Sequence, residues 1–496
     1  MGKRIEIDPI TRLEGHGKIE IFLDNKGNVE KAYLSIPELR GFEIFCQGKP
    51  AEMMPQITAR ICGVCPTAHH MASAKACDDL YAVDPPVAAK KLREMLYNMF
   101  MFEDHLLHFY ILGGPDFIVG PRAEKSQRNV LGVIQVVGRD TGKRLIEMRR
   151  KVRELMTFLT GKVIHPVWAL PGGVTRGMDR SSQKQFVAVA KEAVAFARFT
   201  LQTFRDVVLG NDEYVQMITA DAYTHRTYYM GLVDEQNRVN FYDGMIRVVD
   251  PNGKEFLRFP AQHYVKHLAE HVEPWTYIKF LYLKDVGWKG FVDGEASGVY
   301  TVAPLARLNV ADGMATPEAQ VAYEEMFHTL GGKPVHHTLA MHWARVVEIL
   351  YAAERFQELA SDPDILSDAI RIVPQTVPHE GVGVVEAPRG TLFHHYWTDE
   401  NGRIQKANLL VATQNNAARI AMSVDKAARY WIHEGKVDDG ILNMVEMAFR
   451  AYDPCHACGT HALPGHFPFK IRIRDQNGNI IQEIGNMYRN DQGLWV

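Results

Sequence analysis

Cysteine is scarce here: six in 496 residues. A count that low in so long a chain excludes a disulfide scaffold. No window holds the ~18 uninterrupted apolar residues of a membrane-spanning helix. Excess charge is missing too, with 56 Lys and Arg against 59 Asp and Glu and a net charge of −3. That balance gives no electrostatic case for nucleic acid as a partner. The opening Met1–Asp8 lacks the apolar core of a secretory signal. Gly2 does not start a myristoylation motif, because position 6 is Glu where that motif has Ser or Thr. The expectation is a cytoplasmic chain, with any export signal left to a partner. Internal repeats and low-complexity linkers are likewise lacking. What remains, 46% hydrophobic and 23% charged residues, is the composition of a globular protein with a large core.

Four of the six cysteines fall into two Cys-x-x-Cys pairs. Cys62 and Cys65 lie in Arg60-Ile-Cys-Gly-Val-Cys-Pro-Thr-Ala-His-His70, with His69 four residues on. Cys455 and Cys458 lie in Asp453-Pro-Cys-His-Ala-Cys-Gly-Thr-His461, with His461 three residues on. Thiols three apart can turn both sulfurs toward one ion, and two pairs supply four thiolates. A structural zinc site joins knuckles ~15–20 residues apart. Nearly the whole chain separates these two pairs, so the body is built around whatever they close. From spacing alone a catalytic metal, a structural zinc, an iron–sulfur cluster and redox thiols all stay open. Cys46 and Cys77 read as single buried thiols.

The periodicity predicts an α+β fold, predominantly α: a large central helix bundle with a small N-terminal antiparallel sheet and peripheral hairpins. Residues 3–8, 17–23 and 29–36 alternate as strands, with Asn25-Lys-Gly27 as a turn. Helical signals run over 66–81, 88–111, 142–160, 181–209, 317–330, 336–359 and 416–434. Residues 165–173 read as a loop, 240–258 as a hairpin around Asp250-Pro-Asn-Gly253, and 273–310 as irregular or strand-like coil. The segment 88–111 is apolar apart from Asp104 and its neighbours His105 and His108, and a carboxylate there needs a partner. In Glu386-Ala-Pro-Arg-Gly390, Pro388 sets the backbone direction and Gly390 permits a close approach. Taken singly, Glu14, Glu43 and Arg389 would pass for surface ion-pairing groups.

The words around the cysteines resemble the paired signatures of the large, catalytic subunit of nickel–iron hydrogenases. Asp8-Pro-Ile-Thr-Arg-Leu-Glu-Gly-His16 and Ala387-Pro-Arg-Gly390 are similar to two further motifs of that family, in the family's order. The resemblance implies one interwoven body over 1–461: a sheet lobe at 1–45, a mainly helical body at 66–360, and a metal-site segment at 380–461. It implies a Ni–Fe(CO)(CN)2 centre on Cys62, Cys65, Cys455 and Cys458, with Cys65 and Cys458 bridging to iron. His69 would donate to a bridging sulfur. Arg389, beside Pro388, would hydrogen-bond one cyanide, and Thr413 the other, although Ala412 and Gln414 depart from the usual neighbours of that hydroxyl. Asp104 and Asp453 would complete the polar surround, with Arg389 as the partner of Asp104. Glu43 and His461 would hold Mg2+ or a similar divalent ion, helped by a carbonyl near Leu409 or Leu410. Heterolysis of H2 would send a proton to Cys455 and then to Glu14. Residues 462–496, with a hairpin at 469–484, would be a propeptide removed after His461 by a maturation endopeptidase, once chaperones have delivered nickel.

No cysteines are left for an electron relay. The resemblance therefore implies an iron–sulfur small subunit. Glu380–Tyr396 and Val302–Asn309 are similar to the cytosolic, multi-subunit members, which add flavin and NAD(P)-binding diaphorase-type subunits and in some cases bifurcate electrons. Coupling to heterodisulfide reductase, ferredoxin or methyl viologen is the alternative within the family. Outside it stand a zinc-stabilised scaffold and a respiratory-complex relative, although such relatives typically lack the cysteines.

Overall fold

The computed structural model describes residues 4–376, 379–460, 470–474 and 480–485. Strands Arg4–Ile7, Lys18–Leu23 and Val29–Ser35 form an antiparallel sheet in chain order. Alternation places Ile19, Ile21 and Leu23 in the main hydrophobic core, while the intervening positions face outward. The same core holds all four cysteines of the two pairs.

Helix Pro66–Leu80 starts directly after the first pair, with Cys65 at its N-cap and Pro66 at its first position. Helix Val87–Leu107 follows and continues into π-helical turns at His108–Gly113 and Pro115–Val119. Wider turns of this kind recur at functional sites, and these lead the chain toward Arg12 of the N-terminal motif. Helices Arg180–Phe204 and Met341–Ser361 pack against one another, and Val87–Leu107 packs on the second of them. Met341–Ser361 is buried on nearly every face, as expected for the central helix of a bundle.

Several elements differ from the sequence expectation. Residues 273–310 are not all coil or strand: Pro304–Val310 is a fully buried helix, begun by Pro304. The hairpin Met245–Val249 and Glu255–Phe259 joins a four-stranded sheet with Tyr228–Val233 and Tyr300–Thr301, whose last pair is parallel. Helices Val130–Val137 and Asp212–Thr219 are additional, and residues 169–174 form a minimal strand pair. Glu380–Ala387, Gly390–Thr398 and Ile404–Leu410 make a three-stranded antiparallel sheet lying on helix Pro66–Leu80. Helix Ala412–Trp431 begins four residues earlier than its periodicity indicated, so Thr413 lies in its first turn. The tail hairpin pairs Lys470–Arg474 with Ile480–Gly485. His461 lies outside the described residues. Among the described residues no helix is long and apolar enough to cross a membrane.

Candidate metal centre

Each cysteine pair spans the start of a helix. Cys62 precedes and Cys65 caps helix Pro66–Leu80, while Cys455 caps the short helix His456–Gly459 that contains Cys458. This geometry turns each pair's sulfurs to one side. The two pairs meet, with all four sulfur atoms within 4.8 Å of one another and all four residues buried. Cys62 Sγ lies 3.4 Å from Cys455 Sγ, and Cys65 Sγ 3.5 Å from Cys458 Sγ, across 393 positions of sequence. Burial pushes the Cys455 and Cys458 thiols well above the free-thiol range. Four buried sulfurs at this spacing favour a soft cation that deprotonates them. The donor set therefore fits a thiolate-bound nickel or iron and equally a zinc.

What surrounds the sulfurs separates these ions. The N-terminal motif runs beside the second pair: Glu14 N donates to Pro454 O at 3.4 Å and His456 N donates to Glu14 O at 2.9 Å. Gly15 makes this approach possible, since a Cβ there would lie 2.8 Å from Ala457 N. Arg12 pins the motif from behind, with Nη2 2.6 Å from Asp116 Oδ1. The result is a half-buried carboxylate on the cluster. Glu14 Oε2 lies 2.9 Å from Cys455 Sγ and accepts from Ala457 N at 3.1 Å. Burial raises this carboxyl above its ordinary range and charge at Cys62 adds to the effect, against the two hydrogen bonds. A structural zinc has no use for such a group on its ligand sulfur; a site that handles protons does.

Arg389 occupies the two-residue turn between Glu380–Ala387 and Gly390–Thr398. Gly390 is required there, because a Cβ would fall 2.2 Å from the Val302 side chain. The guanidinium is buried. Its Nε donates to Asp453 O at 2.7 Å, its Nη1 to Asp104 Oδ2 at 3.3 Å, and its Nη2 lies 2.9 Å from Asp453 Oδ2. The two carboxylates hold it protonated against the cost of burial. Burial in turn pushes Asp104 up to about 7 and raises Asp453, both opposed by Arg389. Asp104 Oδ1 has no hydrogen-bond partner among the described residues. One planar cation thus joins helix Val87–Leu107, the hairpin turn and the segment leading into Cys455.

The remaining predicted residues divide. Thr413 reaches the site: its hydroxyl accepts from Cys455 N at 3.0 Å, which leaves its own hydrogen to donate elsewhere. Pro388 is buried in the turn, and its carbonyl accepts from Arg307 Nη2 at 3.1 Å. Glu43, on the short helix Phe42–Phe45, accepts from Leu409 N at 2.8 Å, and Arg40 N beside it donates to Thr460 O at 2.9 Å. Glu43 thereby stands three residues along the chain from the backbone contact with Thr460, whereas the position of His461 is not described. His69 is buried with Nδ1 3.1 Å from His394 Nε2, and His394 Nδ1 is 2.6 Å from the Tyr396 hydroxyl. That histidine–histidine–tyrosine row was not anticipated, and its only trace in the sequence is the run His394-His-Tyr396. Arg345, a fully buried guanidinium donating to Ala451 O at 3.1 Å, was missed as well. Cys46 and Cys77 stay apart from the cluster as buried thiols.

Residues 40–130 and 295–461 match the family Nickel-dependent hydrogenase, and residues 4–39 match a family described as HoxL-like. The chain is 49% identical over 485 residues to an F420-non-reducing hydrogenase subunit of Archaeoglobus profundus, covering 98% of this chain and 100% of that one. It is 36% identical to the NAD-reducing hydrogenase HoxS subunit beta of Cupriavidus necator, over 97% and 99% of the two chains. The crystal structure of an NAD+-reducing [NiFe]-hydrogenase in the H2-reduced state superposes with a TM-score of 0.86 at 35% identity, over 92% of this chain and 99% of that one. A zinc-stabilised scaffold is not favoured beside these matches. The chain belongs to the nickel-dependent hydrogenase family and is its large, catalytic subunit.

Proposed function

We propose that the four sulfurs would hold a Ni–Fe(CO)(CN)2 group, with Cys62, Cys65, Cys455 and Cys458 as its protein ligands. When bound, this group supplies the open coordination position at which H2 ⇌ 2H+ + 2e− takes place. The chain's own part is to orient and to move protons. Cys455 Sγ takes the proton, and Glu14 Oε2, at 2.9 Å, accepts it next. Burial raises this carboxyl above its ordinary range, the direction that suits a group passing a proton on. Arg389 is locked by Asp104 and Asp453, so that its remaining N–H groups would be free to bond one cyanide, and the Thr413 hydroxyl, which accepts from Cys455 N, would donate to the other. Glu43, which accepts from Leu409 N, would hold Mg2+ or a similar divalent ion, with His461 as a further ligand once residues 462–496 have been removed.

Electrons leave through another polypeptide, because four cysteines belong to the cluster and Cys46 and Cys77 are isolated and buried. The match to an NAD+-reducing enzyme over 92% of the chain supports an iron–sulfur small subunit followed by a flavin/NAD(P) module. The relatives named F420-non-reducing support a second reading, in which the acceptor is another redox protein. Hydrogen-dependent NAD(P)+ reduction by the purified complex separates the two.

The observation that carries the reading is the meeting of sulfurs from positions 62 and 65 with those from 455 and 458 inside 4.8 Å, with a carboxylate on one of them. Metal analysis with infrared spectroscopy of the processed enzyme tests it. Nickel, iron, one carbon monoxide stretch and two cyanide stretches are expected. Zinc with a silent spectrum would overturn it.

A further inference from the structure

The turn that carries Arg389 is held from behind by a second buried guanidinium. Arg307 lies in helix Pro304–Val310 and has no exposed surface. Its Nη1 donates to Ala387 O at 2.8 Å and its Nη2 to Pro388 O at 3.1 Å. These are the two carbonyls that immediately precede Arg389. The carbonyl of Arg389 itself accepts from Asn416 Nδ2 at 2.7 Å. The turn therefore has no unanchored peptide oxygen through which it can shift.

The other edge of the Arg307 fork is turned to Glu348 on the central helix Met341–Ser361. Nε lies 2.6 Å from Oε1 and Nη2 2.7 Å from Oε2. Glu348 Oε2 also faces His105 Nε2 at 2.9 Å. His105 is the residue after Asp104, so the same carboxylate grips the helix that presents Asp104 to Arg389. Glu386 completes the group, with Oε2 3.1 Å from Arg307 Nη1 and Oε1 accepting from Leu232 N and the Thr391 hydroxyl, each at 2.8 Å.

We propose that Arg307, acting with Glu348, is a positioning residue for the hydrogenase reaction: it fixes the turn Ala387–Arg389 and, through His105, the helix bearing Asp104, so that the Arg389 guanidinium is held in one place beside the sulfur cluster. This rests on the role given to Arg389 above. A planar fork is needed, since one group must meet a carboxylate with two prongs and two carbonyls at once. Lysine supplies the charge without the geometry.

The test is R307K in the assembled, metal-loaded enzyme, with E348Q as a second variant that keeps shape and volume. For R307K the expected result is wild-type nickel and iron content, displaced cyanide stretches, and kcat lowered ~100-fold, the scale of a misplacement near 1 Å. E348Q, which keeps the carbonyl bonds of Arg307, displaces the same bands less and costs less rate. Either variant with wild-type band positions and wild-type kcat overturns the proposal. So does an R307K enzyme that loses activity only in proportion to lost metal, its remaining centres spectroscopically unchanged. If R307K does not accumulate as folded protein, the bands of E348Q decide alone. Absence of cyanide and carbon monoxide bands from the wild-type enzyme instead overturns the reading of the centre, and this proposal with it.

Discussion

Replacing Glu14 by glutamine isolates the proton step from everything else the site does. Glu14 Oε2 serves two partners, Cys455 Sγ at 2.9 Å and Ala457 N at 3.1 Å. An amide oxygen in the same place still accepts from Ala457 N, and the backbone pairing of Glu14 with Pro454 and His456 does not involve the side chain. Metal loading and fold are therefore expected to survive in E14Q. What the amide cannot do is take up a proton near neutral pH. Positioned general acid–base groups contribute ~10²–10⁴ in rate, or ~2.7–5.4 kcal/mol of barrier. Hydrogen-dependent dye reduction should fall by that factor at unchanged nickel and iron content, and exchange of D2 with solvent protons should fall with it. E14D pulls the carboxylate back by one methylene, ~1.5 Å, and should recover part of the rate. E14Q within a few-fold of wild type at full metal content would remove Glu14 from the proton path. Loss of rate that merely tracks loss of metal would do the same.

R389K keeps the charge but cannot serve Asp453 O, Asp453 Oδ2 and Asp104 Oδ2 together, and hydrogen oxidation should fall ~10²–10³-fold with metals still bound. Wild-type kinetics in that variant would take Arg389 out of the mechanism. C458A should abolish nickel binding, whereas C77A should leave nickel content untouched, because the Cys77 thiol bonds Ala51 O at 3.3 Å away from the cluster; atomic absorption on both distinguishes them. Glu386 and Glu348 share one guanidinium. Burial alone would raise Glu348, but the charge and hydrogen bonds of Arg307 outweigh it and hold the carboxyl down at about 2, while burial pushes Glu386 up to about 7 from 4.5. Between 4.5 and 7 the folded state thus keeps a proton on Glu386 that the unfolded state gives up, so this group subtracts stability as pH rises. The metal-free E386Q chain should lose that slope, gaining up to ~3 kcal/mol on wild type above pH 7 in denaturant unfolding. Parallel pH profiles for the two proteins would refute the shift.

Much of the site was legible because its chemistry is written locally. Cys-x-x-Cys followed by proline or by a short helix dictates paired sulfurs wherever it occurs. The amphipathic strands at 18–23 and 29–35 and the long helices announced themselves by period. The hairpin that carries Arg389 did not. Strand Glu380–Ala387 is buried on both faces from Gly381 onward, so it lacks the alternation that marks a half-exposed strand. Helix Pro304–Val310 hides for the same reason, being buried at every position. Arg307 lies in the segment Val302–Asn309, whose likeness to the family is legible, but nothing in the sequence marks its side chain as buried, against the usual exposure of arginine. Only its four partners from distant segments make burial affordable.

By itself the sequence supplied two soft sulfur pairs, a carboxylate motif near its start, an arginine between Pro388 and Gly390, and too few cysteines for an electron relay in the same chain. Only the tertiary structure decided that Cys62 stands 3.4 Å from Cys455, that Glu14 faces that same sulfur across 441 positions, and that Arg307 braces Arg389. Local preference acts over a few residues along the backbone. Contacts across hundreds of residues are selected by burial of the common core, which brings the two ends of the chain to one point and surrounds that point with charges that have partners nowhere else.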